Sequence, residues 1–227
     1  MATLGILCLS NRGVYIGEDP DFHGGIADPA RYNSPPLIQT IPGAWTTNVV
    51  PGHPEGEADY VAAAQQLVLD GADAITCDCG FTLRYQQAIA SAVSVPVSTS
   101  SLLLLPMLLR NNPASKKIAV LTYDTRYLTP DLLKLLGIDD LSRLVIEGLE
   151  HTKTYDYMWA KEAKLHVSDA LSDTDAIIER LKRRGDIAAV LCECTFFARV
   201  SRRIRRETNL PVYDVAINAA LLMAAVS

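Results

Sequence analysis

The chain has 227 residues, of which 49% are hydrophobic and 21% charged, and its formal net charge at pH 7 is −5. This composition suits one or two compact domains with substantial cores, and it gives no reason to expect a nucleic-acid partner. The longest apolar run, residues 102–109, contains Pro106 and is far shorter than the roughly 20 residues that cross a bilayer. The first ten residues also lack the features of a signal peptide, so we expect a soluble, cytoplasmic protein that does not bind membranes.

Four short apolar runs follow one another along the chain. They lie at residues 5–9, 73–77, 118–122 and 188–192, and none of them alternates with polar residues. Runs of this kind, separated by helical stretches, predict parallel strands that are buried on both faces of a sheet.

Amphipathic stretches precede the second and fourth runs. Apolar residues recur at helical spacing over 57–71 and 173–185. Each helix is expected to end at a glycine with positive φ, Gly71 in the first and Gly185 in the second, and a shorter helix is expected to end in the same way at Gly137.

The two halves of the chain differ most after the first strand. Residues 10–56 form a long segment rich in glycine and proline. Loops of this length in compact domains are often lids or binding loops, and the sequence leaves the role of this segment open.

A short cysteine-containing peptide occurs twice. ITCDCGF at 75–81 and VLCECTF at 190–196 lie 115 positions apart, and the same distance separates Pro96 from Pro211. The repeat therefore extends without a gap from each cysteine peptide through the following strand. Each half is interpreted as strand, loop, helix, strand, cysteine turn, helix, strand and helix.

The sequence thus predicts an α/β fold made of two similar half-domains with parallel sheets. We expect a pseudo-two-fold axis to relate the halves and the active site to lie in the cleft between them. The first domain is expected to comprise residues 1–97 with 211–227 and to carry Cys79, and the second to comprise residues 98–210 and to carry Cys194.

Cys79 and Cys194 are the candidate catalytic residues. Both stand at the carboxyl end of a predicted parallel strand, where ligands bind in open α/β sheets, and just before a predicted helix. A helix N-terminus lowers the pKa of a nearby thiol and attracts a carboxylate. Two such turns facing each other could remove a proton from one side of a substrate carbon and return a proton to the other side.

The residues after the two cysteines are candidates for binding a substrate carboxylate. Their backbone N–H groups and hydroxyls could stabilise the charge that develops when the carbon is deprotonated. The candidates are Gly80, Phe81, Thr82, Thr195 and Phe196.

The other residues of the cysteine peptides leave more than one interpretation. Cys77 and Cys192 lie inside the predicted strands and are expected to pack in the core. A four-thiolate zinc site is disfavoured because only one residue separates the cysteines of each pair, so no metal is expected. Asp78 and Glu193 could orient the thiols or tune their charge, or could face solvent, and the sequence leaves both possibilities open.

No cofactor is expected either. A pyridoxal phosphate enzyme needs a lysine at the site, but Lys116 and Lys117 begin a strand at its amino end, away from the predicted cleft. The five arginines between residues 199 and 206 are interpreted as a solvated helix face, because aromatic residues are not interleaved with them.

At the two cysteine peptides the sequence resembles the aspartate/glutamate racemase superfamily, which is cofactor-independent. GADAITCDCGF resembles the first cysteine segment of that family, and DIAAVLCECTF the second. The resemblance implies Cys79 and Cys194 as the catalytic pair, and it implies Ser10, Thr122 and Tyr123 as further substrate-binding residues.

The resemblance implies an isomerase, namely a racemase or epimerase that inverts a carbon next to a carboxylate. An acidic amino acid or a related compound is the expected substrate, and a homodimer is expected. A lyase of the dimethylsulfoniopropionate type, a cis-trans isomerase of the maleate type and a hydantoin racemase remain alternatives within the superfamily. A binding protein with inactive cysteines is the alternative from another class.

Overall fold

The apolar runs of the first half form the centre of a four-stranded sheet. The computed structural model describes residues 2–53 and 56–227. The strands of this sheet are β1 (Leu4–Cys8), β3 (Leu37–Thr40), β4 (Ala74–Cys77) and β5 (Val97–Ser98). Their order is β3-β1-β4-β5, and all neighbouring strands are parallel.

The second half repeats this arrangement in a separate sheet. Its strands are β6 (Lys117–Leu121), β7 (Leu144–Glu147), β9 (Ile187–Cys192) and β10 (Val212–Tyr213). Their order is β10-β9-β6-β7, again with parallel pairing throughout. The prediction of an α/β fold with two similar halves is therefore confirmed.

Helices connect the strands and cover the sheets. They are α1 (Thr46–Val49), α2 (Glu57–Leu69), α3 (Gln86–Ala92), α4 (Leu105–Asn111), α5 (Pro130–Lys134), α6 (Lys153–Trp159), α7 (Val167–Lys182), α8 (Ser201–Thr208) and α9 (Val215–Val226). Within the described ranges, no helix combines the length and the apolar character needed to cross a membrane.

Two of the three predicted glycine helix ends are present. Gly71 follows α2 with φ of 97° and Gly137 follows α5 with φ of 69°, in the left-handed region that glycine adopts without strain. The expectation for Gly185 is wrong, because Gly185 lies outside that region. Helix α7 ends instead in a right-handed turn in which the N–H of Arg183 is bonded to the carbonyl of Leu181.

The long segment contains regular structure within residues 10–53, and residues 54 and 55 lie outside the described residues. Its strand β2 (Arg12–Ile16) pairs in parallel with β8 (Glu162–His166) of the second half, so a two-stranded sheet bridges the halves. Asp21 holds the next stretch by ion pairs to Arg203 and Arg206 of α8. Arg202, Arg205 and Arg206 are exposed, as a solvated helix face predicts, whereas Arg203 is partly buried. Arg203 and Arg206 also fasten the long segment to the second half.

The chain crosses between the halves near both sheet edges. Strand β10 belongs to the second sheet, whereas α9, which follows it, packs against β4 and β5 of the first sheet. The division into domains 1–97 with 211–227 and 98–210 stays a prediction.

Candidate functional site

One residue separates each candidate cysteine from the end of a central strand. Cys79 follows β4 and precedes a 3-10 turn over Gly80–Tyr85, and Cys194 follows β9 and precedes a 3-10 turn over Thr195–Arg199. Both cysteines are extended in backbone conformation and buried. The predicted helices α3 and α8 start only after these turns.

The two cysteines line one small cavity of about 30 Å³, which we call the inner chamber. This volume is about twice what one water-sized group needs, so it admits a small group such as a carboxylate. Residues from both halves and from the long segment form its wall: Leu9, Thr46, Val50, Asp78, Cys79, Gly80, Phe81, Tyr123, Met158, Glu193, Cys194 and Thr195. The sequence-based mechanism depends on this arrangement, in which both thiols face a single space.

A larger cavity of about 500 Å³, the vestibule, adjoins the inner chamber. Five residues line both spaces: Leu9, Thr46, Asp78, Met158 and Thr195. The vestibule also presents Tyr15 of β2, Tyr157 of α6, and Arg199, whose guanidinium lies 4.6 Å from the centroid of the Tyr15 ring. Strand β2 thus forms part of the outer wall of the candidate site.

Direct contacts join the two cysteine turns. The hydroxyl of Thr195 donates a hydrogen bond to the carbonyl oxygen of Asp78. At the equivalent place in the first turn stands Gly80, and a Cβ there would overlap the carbonyl oxygen and the Oε1 atom of Glu193. Only glycine therefore fits position 80 without displacing the opposite turn.

Asp78 and Glu193 bring two carboxyl groups to the chamber. Oδ1 of Asp78 accepts a hydrogen bond of 2.9 Å from the N–H of Leu9, and burial raises the pKa of Asp78 to about 6. Oε2 of Glu193 accepts hydrogen bonds from the Thr122 hydroxyl at 2.7 Å and from the Tyr123 N–H at 3.3 Å. Burial raises the pKa of Glu193 to about 7.

The thiols have raised rather than lowered pKa values. Burial raises the pKa of Cys79 and of Cys194 well above the ordinary value, and the negative charge of Glu193 raises both further. Hydrogen bonds from the N–H groups of Phe81 and Phe196 lower the two values by less. The expected activation by a helix N-terminus was therefore wrong for the ligand-free chain, because burial outweighs the few N–H groups of a 3-10 turn.

The remaining sequence-predicted residues divide into two groups. Gly80, Phe81, Tyr123 and Thr195 line the inner chamber, and Phe196 lines the vestibule.

Three predicted binding residues are engaged elsewhere. Thr82 donates to the carbonyl oxygens of Cys79 and Thr99, and Ser10 donates to that of Ile41. Thr122 reaches the chamber only through Glu193. Intramolecular acceptors take the protons of these three hydroxyls and neither cavity is lined by them, so their direct binding of a substrate stays a prediction.

Sequence reasoning missed the contribution of the long segment and of α6. Thr46 and Val50 lie beyond β3, and Met158 lies in α6, yet all three line the chamber. Asn11 fixes this wall, since it accepts from the N–H of Thr46 at 2.8 Å and donates to the carbonyl of Ala160 at 2.8 Å. A lone Asn after a strand gives no signal of this role in the sequence.

The inner cysteines of each peptide lie in the core. Cys77 and Cys192 are the last residues of β4 and β9 and are fully buried, and burial raises the pKa of Cys77 to about 12. Among residues 2–53 and 56–227, no three His, Cys, Asp or Glu side chains are placed together as metal ligands.

Comparison with curated proteins finds relatives of one activity. The chain is 29% identical over 207 residues to a dimethylsulfoniopropionate lyase of Durusdinium sp. clade D, which covers 86% of this chain and 67% of that protein. It is 31% identical over 178 residues to dimethylsulfoniopropionate lyase 5 of Emiliania huxleyi, covering 72% of this chain and 35% of that protein. The match spans between a third and about half of the Emiliania huxleyi proteins. No protein-family model matches the chain.

Solved structures resemble the whole chain in fold at low sequence identity. An allantoin racemase from Klebsiella pneumoniae has a TM-score of 0.63 and 15% identity, covering 99% of this chain and 88% of its own. A glycine-to-cysteine variant of arylmalonate decarboxylase has a TM-score of 0.61 and 16% identity, and the match covers 99% of this chain and 94% of the variant. An aspartate racemase from Picrophilus torridus has a TM-score of 0.56 and 15% identity, and the match covers 100% of this chain and 94% of the racemase.

Proposed function

We propose that this chain, an enzyme with the fold of the aspartate/glutamate racemase superfamily, is a cofactor-independent lyase that acts on a small zwitterionic carboxylate. A cysteine removes the proton next to the carboxylate, and a leaving group departs from the neighbouring carbon. The single observation that carries this proposal is that Cys79 and Cys194 line one small chamber. The names of the curated relatives make dimethylsulfoniopropionate the candidate substrate.

The charge of the chamber favours a substrate with a cationic group. Two carboxyl groups, those of Asp78 and Glu193, line it, and within the described ranges no lysine or arginine does. An acidic amino acid would place a second carboxylate beside Asp78, and like-charge repulsion disfavours this arrangement once Asp78 is ionised. A sulfonium group beside Asp78 is instead attracted once that carboxyl group is ionised, and Asp78 lines both the inner chamber and the vestibule.

A cationic substrate would also lower the raised pKa values of the thiols. A positive charge within a few ångströms favours the thiolate, because it opposes the effect of burial on the thiol pKa. The substrate would therefore help to ionise the cysteine that attacks it.

The elimination step balances without a cofactor. The thiolate takes the proton from the carbon next to the carboxylate and becomes a thiol. The electron pair of that C–H bond forms the new C=C bond, and the bond to the sulfonium sulfur breaks with its electrons moving to sulfur. The products are neutral dimethyl sulfide and acrylate, and the proton on the cysteine returns to solvent before the next turnover.

Racemisation is the second candidate, and one observation favours it. Two thiols that face one space could deprotonate and reprotonate a carbon from opposite sides, as the sequence-based mechanism requires. A racemase needs both cysteines for catalysis, whereas a lyase needs only one base. The small carboxylate substrate and the homodimer remain part of the proposal in either case.

Incubation in D₂O with dimethylsulfoniopropionate, and in parallel with aspartate and glutamate, tests the proposal. We expect proton NMR to show vinyl signals of acrylate and gas chromatography to show dimethyl sulfide. Deuterium at the α-carbon of an amino acid, without a new product, would favour the racemase instead.

Three cysteine variants identify the base. We expect one of the two variants Cys79→Ser and Cys194→Ser, the one that lacks the base, to lower the elimination rate by roughly 10²-fold or more, in line with general-base catalysis. Cys192→Ala is the matched control, because Cys192 is buried in β9 outside the chamber. If both serine variants match the parent on a substrate that the parent turns over, the cysteines do not carry the reaction.

A further inference from the structure

The repeat places Asp78 and Glu193 at equivalent positions, but their carboxyl groups are used differently. Asp78 precedes Cys79 and accepts a hydrogen bond from the N–H of Leu9, just after β1. Glu193 precedes Cys194 and accepts a hydrogen bond from the N–H of Tyr123, just after β6. Glu193 is one methylene longer. Its Oε2 atom alone takes the bonds from Thr122 and Tyr123, which leaves its second oxygen free to point elsewhere.

That second oxygen, Oε1 of Glu193, has no hydrogen-bond partner among the described residues. The side chain is only 1% exposed, and it forms part of the chamber wall in the space that a side chain at Gly80 would need. Buried carboxyl oxygens normally have a partner, so an unpartnered one at the wall of a cavity indicates that a ligand supplies the partner.

The charges around Glu193 come from three segments. Cys79 and Arg84 approach from the turn after β4, Cys192 and Cys194 are neighbours on its own segment, and Asp78 lines the same chamber. From the end of β6 come only the neutral donors already described. Burial raises the pKa of Glu193 to about 7 and Arg84 opposes this, so the carboxyl group is mostly neutral below pH 7.

We propose that Glu193 receives the substrate carboxylate in the inner chamber, as a neutral carboxylic acid that donates a hydrogen bond from Oε1. The carboxylate then lies beside Glu193, with the neighbouring carbon between Cys79 and Cys194 and the leaving group directed towards Asp78 and the vestibule. As the carbon loses its proton, charge moves onto the carboxylate oxygens, and the same hydrogen bond strengthens. The inference uses the proposed function for the reaction but needs only a carboxylate ligand.

A pH-dependent affinity follows from this role. Above neutrality Glu193 ionises, loses the donated proton and repels the ligand carboxylate. If only the neutral form binds, the dissociation constant is about tenfold larger at pH 8 than at pH 6. The thiols do not titrate in this range, because their pKa values lie well above it.

Calorimetric titration with propionate tests the inference without any turnover. Propionate carries the carboxylate and lacks a leaving group, so binding is measured even if the chain is not a lyase. We expect about tenfold weaker binding at pH 8 than at pH 6 for the parent. Glu193→Gln keeps a neutral donor of the same shape, and we expect its affinity to change less than twofold over this range.

Asp78→Asn is the matched control, since it removes the equivalent carboxyl group of the first half. We expect this variant to keep most of the pH dependence between pH 6 and pH 8. The inference is overturned if the parent binds propionate equally at both pH values, or if Asp78→Asn removes the dependence while Glu193→Gln retains it. Tight pH-dependent propionate binding with no acrylate formed would support the role of Glu193 and reject the lyase.

An infrared difference spectrum gives a second readout. When propionate binds at pH 8, the parent must take up a proton on Glu193, so a band of a protonated carboxyl group should appear. Glu193→Gln should lack that band. Absence of the band in the parent, at a propionate concentration that saturates it, contradicts the proposed hydrogen bond.

Discussion

Replacing Glu193 by glutamine is expected to stabilise the ligand-free chain above neutral pH. The folded chain holds the Glu193 proton more tightly than the unfolded chain, because burial raises the pKa from the ordinary 4.5 to about 7. Stability contributed by this proton is therefore fully present below pH 4.5 and is lost as the pH rises through 7.

The two pKa values set the size of the effect. A pKa difference from 4.5 to about 7 corresponds to about 3 kcal/mol of folding free energy lost between pH 4.5 and pH 8, of which about 1.4 kcal/mol is lost between pH 6 and pH 8. Asp78, with a pKa of about 6, contributes at most about 0.4 kcal/mol over the same interval. A stability measurement between pH 6 and pH 8 therefore distinguishes the contribution of Glu193 from that of Asp78.

Urea denaturation at pH 6 and pH 8 measures this difference. We expect the parent to lose about 1.4 kcal/mol from Glu193, Glu193→Gln to lose little of it, and Asp78→Asn to behave almost as the parent. If Glu193→Gln loses as much stability as the parent over this interval, Glu193 is not the titrating group and the account of its burial is wrong.

Three further substitutions test other parts of the site. Gly80→Ala should destabilise the chain by about 1–3 kcal/mol in urea denaturation because its Cβ overlaps Glu193, whereas Gly185→Ala, whose Cβ meets nothing within 4 Å, should be close to neutral. Tyr60→Phe should raise the unfolding free energy by about 1 kcal/mol, since the buried Tyr60 hydroxyl has no partner among the described residues, and a decrease would contradict this. Asp21→Asn should speed amide hydrogen exchange in β2 compared with the parent, while exchange in β6 stays unchanged. If β2 exchanges at the same rate in variant and parent, the ion pairs to α8 do not hold the long segment.

The sequence predicted the parts of the fold that depend on local pattern. Continuous apolar runs became the central strands, and the repeated cysteine peptides became equivalent turns that face one chamber. The edge strands β3 and β7 were not predicted, because LIQT and LVIE are short and only partly buried. The pairing of β2 with β8 joins residues from opposite halves, and such a non-local contact leaves no periodic signal.

At the candidate site, residue types were easier to predict than their environments. Cys79 and Cys194 stood out by position, but the direction of their pKa shifts depends on burial, which the sequence does not give. Asp78 and Glu193 look alike in the repeat, and their difference appears only when one extra methylene leaves Oε1 of Glu193 without a partner. Packing, rather than residue type, therefore decides which acid faces a ligand.

The late pairing of β2 has a consequence for how the enzyme matures. Arg12 lies beside Glu162 and Ile16 beside His166, so a chain growing on the ribosome carries this strand unpaired until most of its length has been synthesised. The first central sheet can form earlier, from segments that are closer together in the chain, whereas β9 and β10 of the second sheet follow β8. A nascent chain would thus hold a folded first half before β2 finds its partner, and the vestibule would be completed only as the second half folds.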